Sequence, residues 1–226
     1  MKLAVVTIGQ SPRVDLTPEI RDLIPPGTEL VEYGALDELD HDEIARLRPR
    51  PGEHALTSRL RDGSSAVFGH DHAVGLVETA VARAESDGAD VSFIVCTGAF
   101  PHIAHTRPLF LAERLAHDGV RALLSGFRER RLGVLSPLPE QAADAYDHWE
   151  TSIGLRPSAV TSASPYTDTL EAIAAAAASL APACDLLVMD CIGYDRRMCA
   201  AAQDAAGNTR VVTARDVAAR LIATML

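Results

Sequence analysis

The chain has 226 residues, 47% of them apolar and 23% charged, enough to bury one large core or two smaller ones. A formal net charge of −10 with scattered cations argues against a nucleic-acid partner or an anionic membrane surface. The one dense basic stretch, Arg128, Arg130 and Arg131, is too short to track a phosphate backbone and reads as a solvated helix end or loop.

Apolar, β-branched runs of five to seven residues alternate with longer amphipathic stretches, the pattern of βα units around a parallel sheet. Strands are predicted at Leu3–Ile8, Glu29–Tyr33, Val91–Cys96, Leu132–Ser136, Ala159–Ala163, Leu186–Cys191 and Arg210–Thr213. Helices are predicted at 17–24, 71–87, 105–118, 138–153, 168–181, 195–206 and 214–225. The first strand is too short for a signal-peptide core, and no run reaches the roughly 20 apolar residues of a membrane span. The reading is a cytoplasmic protein.

Thr17, Pro18 and Glu19 supply a capping residue, a first-turn proline and an acid near the positive end of a helix dipole. The charged, proline-punctuated stretch Asp37–Arg61 breaks the rhythm and opens an insertion of about 37–70, within which Leu56–Arg61 and Ser65–Phe68 form a hairpin around Asp62 and Gly63. Ala172–Ala178 has high helix propensity and small side chains suited to close packing on a sheet.

A weak internal repeat organises the chain. Residues 2–12 (KLAVVTIGQSP) are echoed by 131–140 (RLGVLSPLPE), each a basic residue, an apolar strand and a polar, proline-bearing turn into a helix. Residues 91–98 (VSFIVCTG) are echoed by 186–193 (LLVMDCIG), each a strand ending in Cys-x-Gly. The predicted fold class is therefore α/β, with two pseudo-repeated Rossmann-like lobes, parallel sheets and an active-site cleft between them. The predicted lobes are 1–100 plus 214–226, and 101–213.

Ligands of open α/β sheets bind beyond the C-terminal strand ends, where Cys96 and Cys191 stand. The glycines two residues on, Gly98 and Gly193, let the backbone turn sharply and approach a ligand. A following helix N-terminus would favour a thiolate and a substrate carboxylate alike. The competing reading for each cysteine is ordinary packing, which suits Cys184 and Cys199 better because they lack the strand-end glycine. No CxxC pair occurs among the four cysteines, so free thiols are expected. Two opposed thiols suit proton abstraction beside a carboxylate, because a group of pKa about 8.5 can serve as acid or base after modest tuning.

The segment Lys2–Arg13, a strand followed by Thr-Ile-Gly-Gln-Ser-Pro-Arg, and the later Met-Asp-Cys-Ile-Gly-Tyr of Met189–Tyr194 resemble AroM-type proteins over nearly the whole chain. That family is similar to the aspartate/glutamate racemase superfamily. The resemblance implies two Rossmann-like lobes and cofactor-free catalysis by a cysteine from each lobe, here Cys96 and Cys191. It implies a racemase, isomerase or decarboxylase acting on a small carboxylate, amino acid or hydantoin-like substrate. A homodimer is the assembly to be tested, and the sequence does not decide it. Thr97-Gly98 and Ile192-Gly193 depart from the superfamily's usual residues after each cysteine. They keep open a second reading, a non-catalytic small-ligand-binding or regulatory protein on the same fold.

Gln10, Ser11 and Arg13 follow the first strand and are candidates for binding a substrate carboxylate, as are Thr97, Gly98, Ile192 and Gly193 near the thiols. Asp190 precedes Cys191, and strand alternation turns it away from the thiol. His70 and His72, with His102 and His105, suggest a metal, but neither HExxH nor a zinc ladder is present, so none is assigned. His102 and His105 instead suit a proton relay or a substrate contact. Neither GxGxxG nor a Walker lysine occurs, and no cofactor is expected.

Overall fold

The computed structural model describes residues 1–226, which divide into two compact units, 1–113 with 222–226, and 114–221. The first unit carries β1 (Lys2–Thr7), α1 (Thr17–Arg21), β2 (Glu29–Gly34), α2 (His41–Arg46), β3 (Ala55–Arg59), β4 (Ser65–Gly69), α3 (His70–Ser86), β5 (Val91–Val95) and β6 (Leu109–Leu111). Helix α4 (Ala112–Leu124) runs from it into the second unit. The second unit holds β7 (Leu132–Ser136), α5 (Pro139–Ile153), β8 (Ala159–Ser162), α6 (Leu170–Leu180), β9 (Leu186–Met189), α7 (Arg196–Ala206), β10 (Arg210–Thr213) and most of α8 (Ala214–Ala223).

Each unit is built on a parallel sheet of four strands, in the order β2-β1-β5-β6 in the first and β10-β9-β7-β8 in the second. Read from β8, the second order is that of the first: second strand, first, third, fourth. The sequence echo thus marks topologically equivalent strands, β1 with β7 and β5 with β9. Strands β5, β7 and β9 are buried throughout, as expected of parallel strands covered on both faces. Their apolar side chains build separate cores, one around Val6, Phe68, Val77 and Ile94, the other around Leu135, Ile173, Leu187 and Tyr194.

Local chemistry accounts for the element ends. Asp40 and Glu43 form a reciprocal capping box at α2. Pro139 opens α5, and Gly154 closes it at φ 69°, a left-handed cap that favours glycine. The insertion contains α2 and an antiparallel hairpin pairing Leu56 with Phe68 and Thr57 with Val67. Two expectations are corrected. The helix predicted from 105 begins at Ala112, because Leu109–Leu111 pairs with β5 as an edge strand. The first helix stops at Arg21 instead of 24. No helix is long and apolar enough to cross a membrane.

Candidate active site

In both sheets the chain direction of sequential connections reverses between the first strand and the third. The C-terminal ends of that strand pair form the crevice where open α/β sheets take ligands. Cys96 follows β5 and Cys191 follows β9, so each thiol stands at that point of its own unit. Both are buried, and neither is in a disulfide. The amide of Gly98 donates to Cys96 Sγ at 3.3 Å, and that of Gly193 donates to Cys191 Sγ at 3.4 Å. The matched amide–sulfur bond holds each sulfur against the turn that follows its strand.

The two glycines also leave room for side chains packed over them. A Cβ at Gly98 would stand 2.7 Å from Leu56 Cδ2, and one at Gly193 would stand 2.6 Å from Cζ and from the hydroxyl of Tyr166. The Tyr166 hydroxyl lies 3.8 Å from Cys191 Sγ. Its loop is pinned by Ser164, whose amide donates to Asp168 Oδ2 at 2.7 Å and whose hydroxyl accepts from the Tyr166 amide at 3.2 Å. The sequence reading missed Tyr166; the Ser-Pro-Tyr turn after a strand was its available signal. Ile192 is buried beside Cys191, and Thr97 is half-buried after Cys96.

The turn after β1 is richly bonded. Gln10 donates to the carbonyls of Leu36 and Leu39, both at 3.2 Å, and accepts from the Arg61 amide at 3.1 Å. The amide and hydroxyl of Ser11 hold a carboxylate, that of Asp37, at 2.7 and 2.8 Å. Arg13 is 1% exposed and grips Asp15 with Nε and Nη2, each at 2.7 Å, while Nη1 donates to Thr7 at 2.9 Å and Ser58 at 3.1 Å. Burial raises the Asp15 pKa, but the Arg13 hydrogen bond and charge, with Arg59 beyond, outweigh it and bring the carboxyl below its ordinary value.

The histidines fall elsewhere. His70 and His72 open α3, where residues two apart lie about 200° around the axis, and His70 Nε2 meets the Ala99 carbonyl. His102 and His105 are exposed, their rings edge to face at 5.7 Å. In the second unit His117 is buried, its ring 3.7 Å from that of Trp149 and 5.0 Å from that of His148, with Nδ1 2.8 Å from Ser152 Oγ. Burial, then the neighbouring His148, pushes the His117 pKa down to about 3, so the ring is neutral. Neutral imidazole nitrogens of this kind are also common ligands of divalent cations. Asp190 turns to α5, where it accepts from Trp149 Nε1 at 2.9 Å.

Residues 3–226 match the family model described as AroM protein. The chain belongs to the AroM family. No curated protein matches it by sequence. Among solved structures, allantoin racemase from Klebsiella pneumoniae is similar with a TM-score of 0.63 at 14% identity, covering 100% of this chain and 87% of that one. Glutamate racemase from Aquifex pyrophilus gives 0.60 at 14%, covering 100% and 84%. The maleate isomerase Iso from Pseudomonas putida S16 gives 0.59 at 13%, covering 100% and 93%. At such identities the likeness establishes the fold: this AroM-family chain has the two-lobed α/β architecture of the racemases and related isomerases.

Proposed function

We propose that this AroM-family protein is a cofactor-independent racemase or isomerase in which Cys96 and Cys191 are the acid and base acting on a small carboxylate, amino acid or hydantoin-like substrate. One observation carries the reading. Topologically equivalent strands in two sheets of the same order end in Cys-x-Gly, and each sulfur accepts the amide of its glycine. The names of the structural neighbours, which are racemases and an isomerase, support the reaction class.

In this mechanism one thiolate removes the proton α to the carboxylate or carbonyl, and the bonding pair moves onto that group as an enolate. The other thiol returns a proton to the carbon, so protons are conserved and the two sulfurs exchange roles. The Gly98 and Gly193 amides donate to the sulfurs and the Gln10–Ser11 turn is bonded within the chain, so these groups hold the developing anion only by exchanging their present partners.

A second reading, a ligand-binding or regulatory protein without turnover, is favoured by one specific feature. The donors best suited to a substrate carboxylate are engaged within the chain, Ser11 by Asp37 and Arg13 by Asp15. Incubating the protein in D2O with chiral amino acids, hydantoins and dicarboxylates, and following the α-proton by NMR, decides between them. Exchange with loss of chirality, abolished in Cys96→Ser and in Cys191→Ser, supports catalysis. A ligand-induced rise in Tm without exchange supports the binding protein.

A further inference from the structure

The side chains filling the space over the two Cys-x-Gly glycines come from equivalent connections, those after the second strand of each sheet. In the first unit this connection is the 35–69 insertion, and it places Leu56 over Gly98; in the second it is the loop 163–169, and it places Tyr166 over Gly193. Position is shared, but chemistry is not. Leu56 offers a methyl group, and Tyr166 offers a hydroxyl whose oxygen lies 3.8 Å from Cys191 Sγ.

We infer that Tyr166 is a positioning residue that holds Cys191 as a thiolate, making Cys191 the more acidic of the two site thiols. A phenol ordinarily ionises near pH 10 and a thiol near pH 8.5, so when the pair loses its first proton the sulfur takes the charge and the phenol keeps its O–H to donate to it. A donor to the charged form favours ionisation. The Gly193 amide adds a second donor from the chain itself.

Other titratable groups grouped with Cys191 are Tyr194, Asp190 just after β9 and Asp168 on the same loop as Tyr166; Asp195 follows four residues on, before α7. The three carboxylates disfavour a thiolate, but each is hydrogen-bonded: Asp168 to the Ser164 amide, Asp190 to Trp149 and Asp195 to the Met198 amide. Tyr194 cannot replace Tyr166, because its hydroxyl is committed to the carbonyls of Ser136 and Ala163. Burial first, then the nearby negative groups, keep it a neutral phenol. On the Cys96 side, His70 at the start of α3 meets the carbonyl of Ala99, three residues on, and the Glu113 amide donates to the Cys96 carbonyl.

The consequence for the reaction rests on the proposed function: Cys191 is the base that removes the first proton, and Cys96 is the thiol that returns one. The ionisation itself is tested without substrate, so its failure is distinct from failure of that function. Protein labelled with 13C at the cysteine Cβ is titrated by NMR, with signals assigned by single Cys→Ser variants. Cys191 should ionise at a lower pH than Cys96. Tyr166→Phe keeps the ring over Gly193 and removes only the oxygen; it should raise the Cys191 midpoint by about one pH unit, roughly a tenfold loss of thiolate below the midpoint, and leave Cys96 in place. A Cys96 midpoint below that of Cys191, a Cys191 midpoint indifferent to Tyr166→Phe, or an equal movement of both cysteines would overturn the inference.

Discussion

Trp149 Nε1 donates a hydrogen bond to Asp190 Oδ2 at 2.9 Å, tying the middle of α5 to the residue before Cys191. Trp149 is fully buried and Asp190 is 8% exposed, so the bond joins an indole to a carboxylate that water scarcely reaches. Trp149→Phe removes the donor and part of the ring, and should cost ~3 kcal/mol of stability. Asp190→Asn keeps an oxygen acceptor and should cost ~1 kcal/mol. Urea unfolding measures both, and a Trp149→Phe cost no larger than that of Asp190→Asn would count against a substantial contribution from this bond.

The Arg13–Asp15 pair gives the second prediction. Arg13→Ala leaves Asp15 without its bidentate partner and should cost ~3–5 kcal/mol, whereas Arg13→Lys, which cannot form the two-pronged bond, should fall between Ala and wild type. The Asp15 pKa is depressed in the fold, so its contribution to stability is present above the ordinary value of 3.8 and is lost as pH falls through the folded value. Stability curves against pH should therefore lose this acid-side fall in Asp15→Asn. An Arg13→Ala protein as stable as wild type would contradict the structural role assigned to this arginine.

His117 gives the third, with the opposite chemistry. Its ring is neutral in the fold, with a pKa of about 3 against an ordinary 6.5, so between those values the unfolded chain binds the extra proton. Stability should be fully present above pH 6.5 and fall by ~1.4 kcal/mol per pH unit as pH drops toward 3. His117→Asn should flatten that limb at some cost in packing. The measurement belongs in EDTA, so that no cation competes with protons for the ring nitrogen, and an unchanged slope in His117→Asn would count against the assignment.

The fourth concerns a cysteine outside the candidate site. Cys184 Sγ donates to the Leu180 carbonyl at 3.3 Å, and burial pushes its pKa up to about 11. It should be a thiol at pH 8, where its alkylation by iodoacetamide should be slow. A Cβ added at Gly133 would stand 2.6 Å from this sulfur. Gly133→Ala should therefore cost ~1–3 kcal/mol, and Cys184→Ala in the same chain should recover part of the loss. Additive costs in the double variant would place the strain elsewhere.

Much of the fold was legible in the amino-acid sequence because burial on both faces of a parallel strand requires an unbroken apolar run, and a covering helix requires an apolar stripe. Residues 3–8 and 91–96 announce their strands in this way, and the Cys-x-Gly endings at 96–98 and 191–193 mark equivalent places in two repeated units. The edge strand Leu109–Leu111 and the short helix His41–Arg46 escaped because three or six residues carry too little periodicity to declare themselves. The partners in the site were decided by tertiary structure alone. Ser11 meets Asp37 across 26 residues, and Trp149 meets Asp190 across 41. Tyr166 reaches Gly193 only because their connections converge at one end of a sheet. Periodicity records which face of an element is buried; which donor meets which acceptor depends on the register and order of strands far apart in the chain, and no local pattern encodes that.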